Sequence, residues 1–494
     1  MSCCPRSSDK YRRIILLAYE NQRLVRMAPV YPERKHMTPT KKLARFVVET
    51  KPEQIPDVVL HEARRCIINV IGVALHASQD PAVQIVLNVL RQEGSARKAS
   101  VLGTSMGTSA QNAALANGFM AHLDDFDDTL FPTVFHPSAP TVPAALALAE
   151  RDAMNGRDFV VACALGLEAS CRLALAFQGI HHGAVWHVSG VIGGFGAAAA
   201  AGRLMGLDQG SMARAFGLAG TQASGLRETF GTMTKAFHAG RASQSGLLSA
   251  LLAQRGFTSA ETILEGKLGF AAAFTPHDHD MERITDELLN RWDLLANSPK
   301  PYACGILSHC MIDAMLSLRA RPGVAPGQVR SITGRVNPLA IKLESRPEPT
   351  NGLLGRLSFQ HAMAVALVDG TAYPTQFTDE RVNDPTVAGL RRLIHVEGDE
   401  SIGPDQCELS MTLNDGREYK HRIEHATGTP ENPVTDALLE DKFRVMASRA
   451  LPKARVDRLL KALWRLDTLD SVAEIARMCR IVTRKPARVS DRST

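Results

Sequence analysis

The chain has 494 residues, 45% of them hydrophobic and 22% charged. That is the make-up of a globular protein of two or three domains rather than of a disordered chain. The net charge of +6 sits at the ends: residues 1–36 hold eight Lys/Arg against three acids and residues 477–494 hold six against one, so the body between them is acidic. A nucleic-acid binder carries its basic footprint on the folded body, so nucleic acid is excluded as a partner.

Residues 1–36 show no sustained amphipathic pattern and are interrupted by Pro29 and Pro32. The apolar piece Ile14 to Tyr19 is too short for a signal sequence and lacks a small-residue cleavage site. Its arginines would suit a mitochondrial transit peptide, but Asp9, Glu20 and Glu33 argue against one. Met37 is followed by a clean opening at Thr38-Pro39-Thr40, so residues 1–36 read as a disordered or spurious extension of a cytoplasmic protein. Nine cysteines, with no CxxC, imply free thiols in a reducing compartment.

From Thr40 to about Pro299 the apolar period is helical. Helices are expected over Gln111–Leu123, Pro140–Ala153, Arg157–Phe177, Val188–Met205, Gln209–Ala219 and Arg241–Gly256. The Val188 helix holds the most apolar stretch, Val188 to Gly202, 15 residues long. That falls short of the ~20 residues that span a bilayer, so no membrane partner is expected. It also holds Gly193, Gly194, Gly196 and Gly202. Glycine costs ~1 kcal/mol inside a helix, so this one is expected to be buried with other backbones close by. The pattern then changes. Val329 to Leu343 mixes β-branched residues with polar alternation, and Leu357 to Val368 is helical. Cys407, Leu409, Met411 and Leu413 alternate into a turn at Asn414-Asp415-Gly416, and Tyr419, His421 and Ile423 alternate back, a hairpin signal. Helical period resumes after Pro433. The fold class is therefore mainly α: a large helical domain over 37–297 and 432–494, interrupted by a smaller α+β domain over 298–431.

The densest polar cluster is Asp124-Asp125-Phe126-Asp127-Asp128-Thr129. Its carboxylates persist only if solvated, metal-bound or opposed by cations. Asp124, Asp125 and Asp128 also spell the DDxxD of helical isoprenoid synthases, but only 5% of the chain is aromatic and no second acidic motif follows. Gly194-x-Gly196-x-x-Ala199 resembles a dinucleotide fingerprint without the preceding strand it needs. The loop His277-Asp278-His279-Asp280 reads as solvated rather than metal-binding. More informative are His136-Pro137-Ser138, His187 at the start of the glycine-rich helix, and His181-His182 upstream of it. Lys235-Ala236-Phe237-His238-Ala239-Gly240-Arg241 reads as a cationic turn entering a helix, and Lys300-Pro301-Tyr302 with His309 opens the α+β region. Taken singly each histidine is unremarkable; together they are basic groups at helix ends, where function concentrates.

The segment His122 to Thr129 followed by His136-Pro137-Ser138 resembles the signature of the MmgE/PrpD family. The likeness continues through Trp186-His187, Lys235 to Gly240, Lys300-Pro301-Tyr302-Ala303-Cys304 and Ser358-Phe359-Gln360-His361, covering about 38–470 in order. That family includes 2-methylcitrate dehydratases, cis-aconitate decarboxylases and iminodisuccinate epimerases. The resemblance implies the two-domain architecture, with the α+β part as a lid, a site between the parts and a homodimer. It also implies a small di- or tricarboxylate substrate, with no cofactor and no metal. It places His136, His187, Lys235 and Asp125 in catalysis, with Thr129, His238, Lys300, Tyr302 and His309 binding substrate. Two positions depart from the decarboxylase pattern. Gly305 stands where the animal enzymes carry a histidine, with His309 nearby as in fungal members, and a lid tyrosine is replaced within Asn337-Pro338-Leu339-Ala340.

The chemistry expected is proton transfer beside a carboxylate. Lys235, Lys300 and a protonated histidine would neutralise the developing charge, and a histidine with a pKa near neutrality would move the proton. Dehydration, decarboxylation and epimerisation all fit such a pocket, and a non-catalytic carboxylate-binding protein is a further alternative.

Overall fold

A computed structural model describes residues 37–183 and 185–481; the expectations for residues 1–36 and for the basic tail beyond 481 lie outside the described residues. Helix α1 (Asp57–Ala77) leads, past a further helix over Pro81–Glu93, to α2 (Ala110–Leu123), which opens where Ser109 Oγ accepts from the Asn112 amide at 3.2 Å. A short strand β1 (Asp128–Leu130) leads to α3 (Ser138–Arg151), α4 (Gly156–Ala176), α5 (Val188–Leu204) and α6 (Gln209–Thr221). Asn155 and Asp208 cap α4 and α6. Helix α7 spans Thr234–Gln254, so it begins seven residues before the expected Arg241. Gly240 looks like a break in the sequence, but it is a contact point. A β-carbon there would lie 2.4 Å from the Leu115 carbonyl of α2. The expected cationic turn is thus the first two turns of a helix.

Helix α5 is buried along nearly its whole length, but of its glycines Gly190 is the one that admits neighbouring backbone closely, where a β-carbon would lie 2.4 Å from the Ser224 carbonyl. At Gly193, Gly196 and Gly202 a β-carbon would meet side chains instead. A β-carbon at Gly246 of α7 would lie 2.4 Å from the Gly194 carbonyl. The expectation about membrane spans needs correction. Helix α4, not the 15-residue stretch of α5, is the longest apolar one, with 21 residues and a mean hydropathy of 1.7 in its most apolar window. By length and composition it could cross a bilayer, yet that window lies wholly inside the protein. It also carries a buried ion pair, Glu168 with Arg172 at 2.5 Å. It is a core helix.

Strand β2 (Asn297–Pro299) pairs antiparallel with β1, Thr129 opposite Ser298. This pairing ties the acidic segment to the chain entering the α+β part. There α8 (His309–Arg319) and β3 (Val329–Val336) are followed by α9 (Pro338–Glu344) and α10 (Phe359–Asp369), then β4 (Ile394–Gly398), β5 (Cys407–Leu413) and β6 (Glu418–Ile423). The sheet order is β4-β3-β5-β6, with β3 and β4 parallel and the rest antiparallel. The hairpin pairs Leu409 with His421 and Met411 with Tyr419. Pro338 ends the strand pattern early. It lacks the amide a ladder needs but suits a first helical turn, which Asn337 caps by accepting from the Leu339 amide at 3.0 Å.

Buried apolar side chains fall into two clusters. One joins residues 43–294 with residues 434–479; the other gathers residues 303–426 with Val73, Phe126 and Met446. Helix α11 (Asp436–Ala447) lies against α1, where a β-carbon at Gly72 would meet the Phe443 ring at 2.9 Å.

Candidate active site

Helix α2 ends at Leu123, and the following carboxylates fan out to four different sets of partners. Asp125 takes a left-handed backbone, φ 51°, an uncommon conformation that aspartate tolerates. Asp124 accepts from His76 Nδ1 at 2.6 Å and Arg356 Nη2 at 3.0 Å. Asp125 receives Lys235 Nζ and Lys300 Nζ, each at 2.7 Å. Asp127 accepts from His122 Nδ1 at 2.8 Å. Asp128 accepts from Ser138 Oγ and from Asn297 Nδ2, the latter at 2.6 Å. All four are buried. The repulsion evident in the sequence is therefore met by cations and donors, and the DDxxD residues do not converge on one point.

Burial alone would raise the Asp125 carboxyl, but Lys235 and Lys300 outweigh it and hold it well below the usual range. Burial likewise opposes ionisation of Asp127, and His122 and His136 bring it down to about 2. Asp128 is raised, by burial and by its neighbour Asp127. The two lysines differ. Burial lowers the Lys235 ammonium more than Asp125 restores it, whereas Asp125 and Asp127 outweigh burial at Lys300 and raise it.

Lys300 donates to Asp125 Oδ1, to the Asp125 carbonyl at 3.2 Å and to the Cys304 carbonyl at 3.0 Å. An ammonium has three N–H bonds, so Lys300 is fully used by the fold. Lys235 pairs with Asp125 and lies 5.6 Å from the centre of the Phe230 ring, and it keeps N–H bonds for a ligand.

His136 Nδ1 lies 2.8 Å from the Asp128 carbonyl and 3.3 Å from Thr129 Oγ1. A carbonyl only accepts, so Nδ1 carries the hydrogen and Nε2 keeps the lone pair. The main-chain amide of His136 donates to Ser189 Oγ of α5 at 3.1 Å. Burial pushes the ring down to about 3, with Asp127 opposing and Lys300 assisting. His187 stands at the start of α5 with Nδ1 3.1 Å from His238 Nδ1. Burial holds it well below its ordinary range, and His122 adds to the effect. The expected protonated histidine is thus replaced by neutral imidazoles, because each ring is out of water and beside other cations.

These groups open on a cavity enclosing about 500 Å³, part of it solvent, lined among others by Asp125, His136, His187, Lys235, Lys300, Arg227 and Glu344. Of the residues expected in the site, the first five line it. Thr129 and His238 stand behind, each touching a histidine. Tyr302 and His309 are not among the lining residues: Tyr302 donates to Asp313 Oδ1 at 2.5 Å, and His309 is buried edge-on against Tyr302 with its ring pushed down to about 3 by burial. The chain after Lys300 turns into α8, and the two rings pack on each other.

Three contributors had no strong signal in the sequence. Arg227 and Glu344 belong to no motif. His122 sits inside the quoted signature, but only the structure shows its ring stacked 5.3 Å from that of His187. Glu344 fills the space beside Gly305. A β-carbon at that glycine would lie 2.2 Å from the Glu344 carboxyl carbon. Donor atoms of His122, Asp127 and His136 lie within 4.8 Å of one another, near enough to bridge a cation. As arranged, the two Nδ1 atoms face Asp127 and the Asp128 carbonyl and are spent on hydrogen bonds.

Comparison with known proteins gives a consistent picture. Residues 41–282 match the family model for the MmgE/PrpD N-terminal domain, and residues 302–466 match that for the MmgE/PrpD C-terminal domain. Similar curated proteins include cis-aconitate decarboxylase of Homo sapiens, 27% identical over 449 residues, covering 87% of this chain and 92% of that protein. The Mus musculus protein of the same name is 25% identical over 457 residues, covering 89% and 93%. That of Aspergillus terreus is 25% identical over 480 residues, covering 90% and 97%.

Proposed function

Because the chain belongs to the MmgE/PrpD family, we propose that it is a lyase acting on a small di- or tricarboxylate without a cofactor, either 2-methylcitrate dehydratase-like or cis-aconitate decarboxylase-like. One observation carries the reading: Asp125 bridges Lys235 and Lys300 beside a neutral His136 whose lone pair is left on Nε2.

Breaking a C–O or C–C bond in such a substrate requires charge to build up on a carbon next to a carboxylate. Lys235 holds that carboxylate with its spare N–H bonds. Lys300, whose three N–H bonds are already taken, holds Asp125 in place and adds a fixed positive charge to the cavity wall. In a site out of water these charges act at low dielectric and need no reorganisation. Burial and Lys300 press His136 down. A bound anion offsets the lysines and raises the ring towards neutrality, where Nε2 can take or return a proton.

A second reading, epimerisation, draws on His136 and His187, whose ring centroids lie 6.5 Å apart and could serve opposite faces of one carbon. Proton NMR in D₂O separates the readings, with 2-methylcitrate, cis-aconitate and a chiral iminodisuccinate as substrates and Lys235→Ala as the control for contaminants. Loss of water or of CO₂ supports the lyase reading. Deuterium entering without net conversion supports the epimerase. No change in any tube overturns both.

A further inference from the structure

Resting on the proposed carboxylate site, one wall of the cavity carries a group that the proton-transfer scheme above does not use. Glu344, the last residue of α9, is buried and lines the same cavity as Lys235 and Lys300. Its carboxyl is built in rather than stray. Oε2 accepts from Ser308 Oγ at 2.9 Å, and Oε1 accepts from the Leu307 amide at 3.3 Å. Its place depends on residue 305 having no side chain, since a β-carbon there would lie 2.2 to 2.4 Å from all three carboxyl atoms. Such a separation is far inside van der Waals contact, so any other residue at 305 would displace the glutamate.

We propose that Glu344, admitted by Gly305, is a specificity-determining residue of this site: protonated, it donates a hydrogen bond to a carboxylate of the bound substrate; ionised, it repels that carboxylate. A carboxyl with one proton still accepts from Ser308 and Leu307 through its remaining lone pairs, so both states fit the contacts seen. Several charged groups bear on it. Lys300 favours its ionised form and Asp125 opposes it, while Cys304 and Arg227 also interact with it and Lys342 shares its helix. Burial outweighs Lys300 and the Ser308 and Leu307 hydrogen bonds and raises the carboxyl to about 7. The switch between donor and repeller thus falls in the range where such an enzyme would work.

The test is binding of tricarballylate, a saturated tricarboxylate with no hydroxyl or double bond to react, by titration calorimetry on the full chain. With Glu344 contributing one linked proton beside the one taken up by His136, affinity for the unaltered protein falls about tenfold further between about pH 6 and about pH 8 than it does in Glu344→Gln. In Glu344→Gln, which cannot ionise, only the His136 share of the fall remains. Gly305→Ala, which displaces the carboxyl by crowding, flattens the profile in the same way, with circular dichroism reporting that each variant is folded. A profile as steep in Glu344→Gln as in the unaltered protein overturns the role of Glu344 and leaves the carboxylate site standing. Failure of every protein to bind the probe overturns the carboxylate site and this proposal with it.

Discussion

Lys442 donates from its ammonium to the main-chain carbonyl of Lys300 at 2.8 Å. The same ammonium donates to the Phe126 carbonyl at 2.5 Å and lies 3.7 Å from the centre of that ring. A lysine of α11 thus fixes both sides of the β1–β2 junction from which the site hangs. Burial presses its own pKa well down, with Asp127 and Asp128 opposing. Lys442→Met keeps the chain's length but leaves two buried carbonyls without a donor. It is expected to lower stability by about 2 kcal/mol, read by denaturant unfolding. A variant as stable as the parent would show that removing a buried charge repays the lost bonds.

The two lysines at Asp125 should separate by their effects. Lys235 has its one ion pair with the aspartate, and its side chain is 14% exposed, against 1% for Lys300. Lys235→Met is expected to reduce kcat/KM by about 100-fold or more while moving the thermal midpoint little. Lys300→Met also removes activity and in addition costs about 3 kcal/mol or more of stability, because it strips a buried carboxylate of half its partners. Equal stability losses in both would refute the division of labour.

His136→Gln preserves a hydrogen bond to the Asp128 carbonyl but has no basic nitrogen. Turnover is expected to fall by about 100-fold or more, with substrate affinity retained. Steady-state kinetics alongside calorimetric binding checks it. Unchanged kcat would move the proton transfer to His187.

Much of the site was legible in the sequence because its groups travel in short runs. Asp125 and His136 share one loop, His187 opens a helix, and Lys235 and Lys300 each stand in a recognisable run of residues. The helices showed through their periodicity, as did the 407–423 hairpin. The missed features lack a local signal. Glu344 matters only because Gly305, far from it in sequence, leaves room. Lys442 looks like any polar position of an amphipathic helix until its burial is known. The start of α7 was misplaced for a related reason: Gly240 serves tertiary contact rather than termination, and periodicity cannot tell the two apart.

Acidification should weaken the fold in a predictable window. Burial lowers His136 and His309 to about 3, His181, His238 and His361 to about 4, and His187 well below its ordinary value. A histidine depressed in this way contributes stability that is present above its unfolded pKa near 6.5 and is lost as pH falls towards its folded value. Each such proton is worth about 1.4 kcal/mol per pH unit. Glu344, raised to about 7, and Glu62, raised to about 8, act in the opposite sense between about pH 4.5 and those values. Asp128, Glu168 and Asp313, also raised, act in the same sense as the two glutamates, so six rings against five carboxyls leave a small net gain with pH. The thermal midpoint is expected to rise between about pH 4.5 and about pH 6.5 and then to level off; a midpoint that falls over that interval would mean these rings are protonated in the fold.

Chelation offers a direct test at His122, Asp127 and His136. The Nδ1 atoms of the two histidines are engaged in hydrogen bonds, one of them to Asp127 itself, so prolonged treatment with EDTA is expected to leave turnover unchanged. Loss of activity restored by a divalent ion would instead make this trio a metal centre.

Where α2 crosses α7, backbone meets backbone: a β-carbon at Gly118 would lie 3.0 Å from the Gly240 Cα. Asp125 follows the end of one of these helices and Lys235 stands in the first turn of the other. With no side chain between them to lengthen or trim, their separation has no adjustable spacer. An engineer wanting a different substrate gains little by varying this crossing, where any added atom is a collision. The adjustable wall is the opposite one, where Gly305 faces α9 and a single exchange of volume between residues 305 and 344 redraws the pocket.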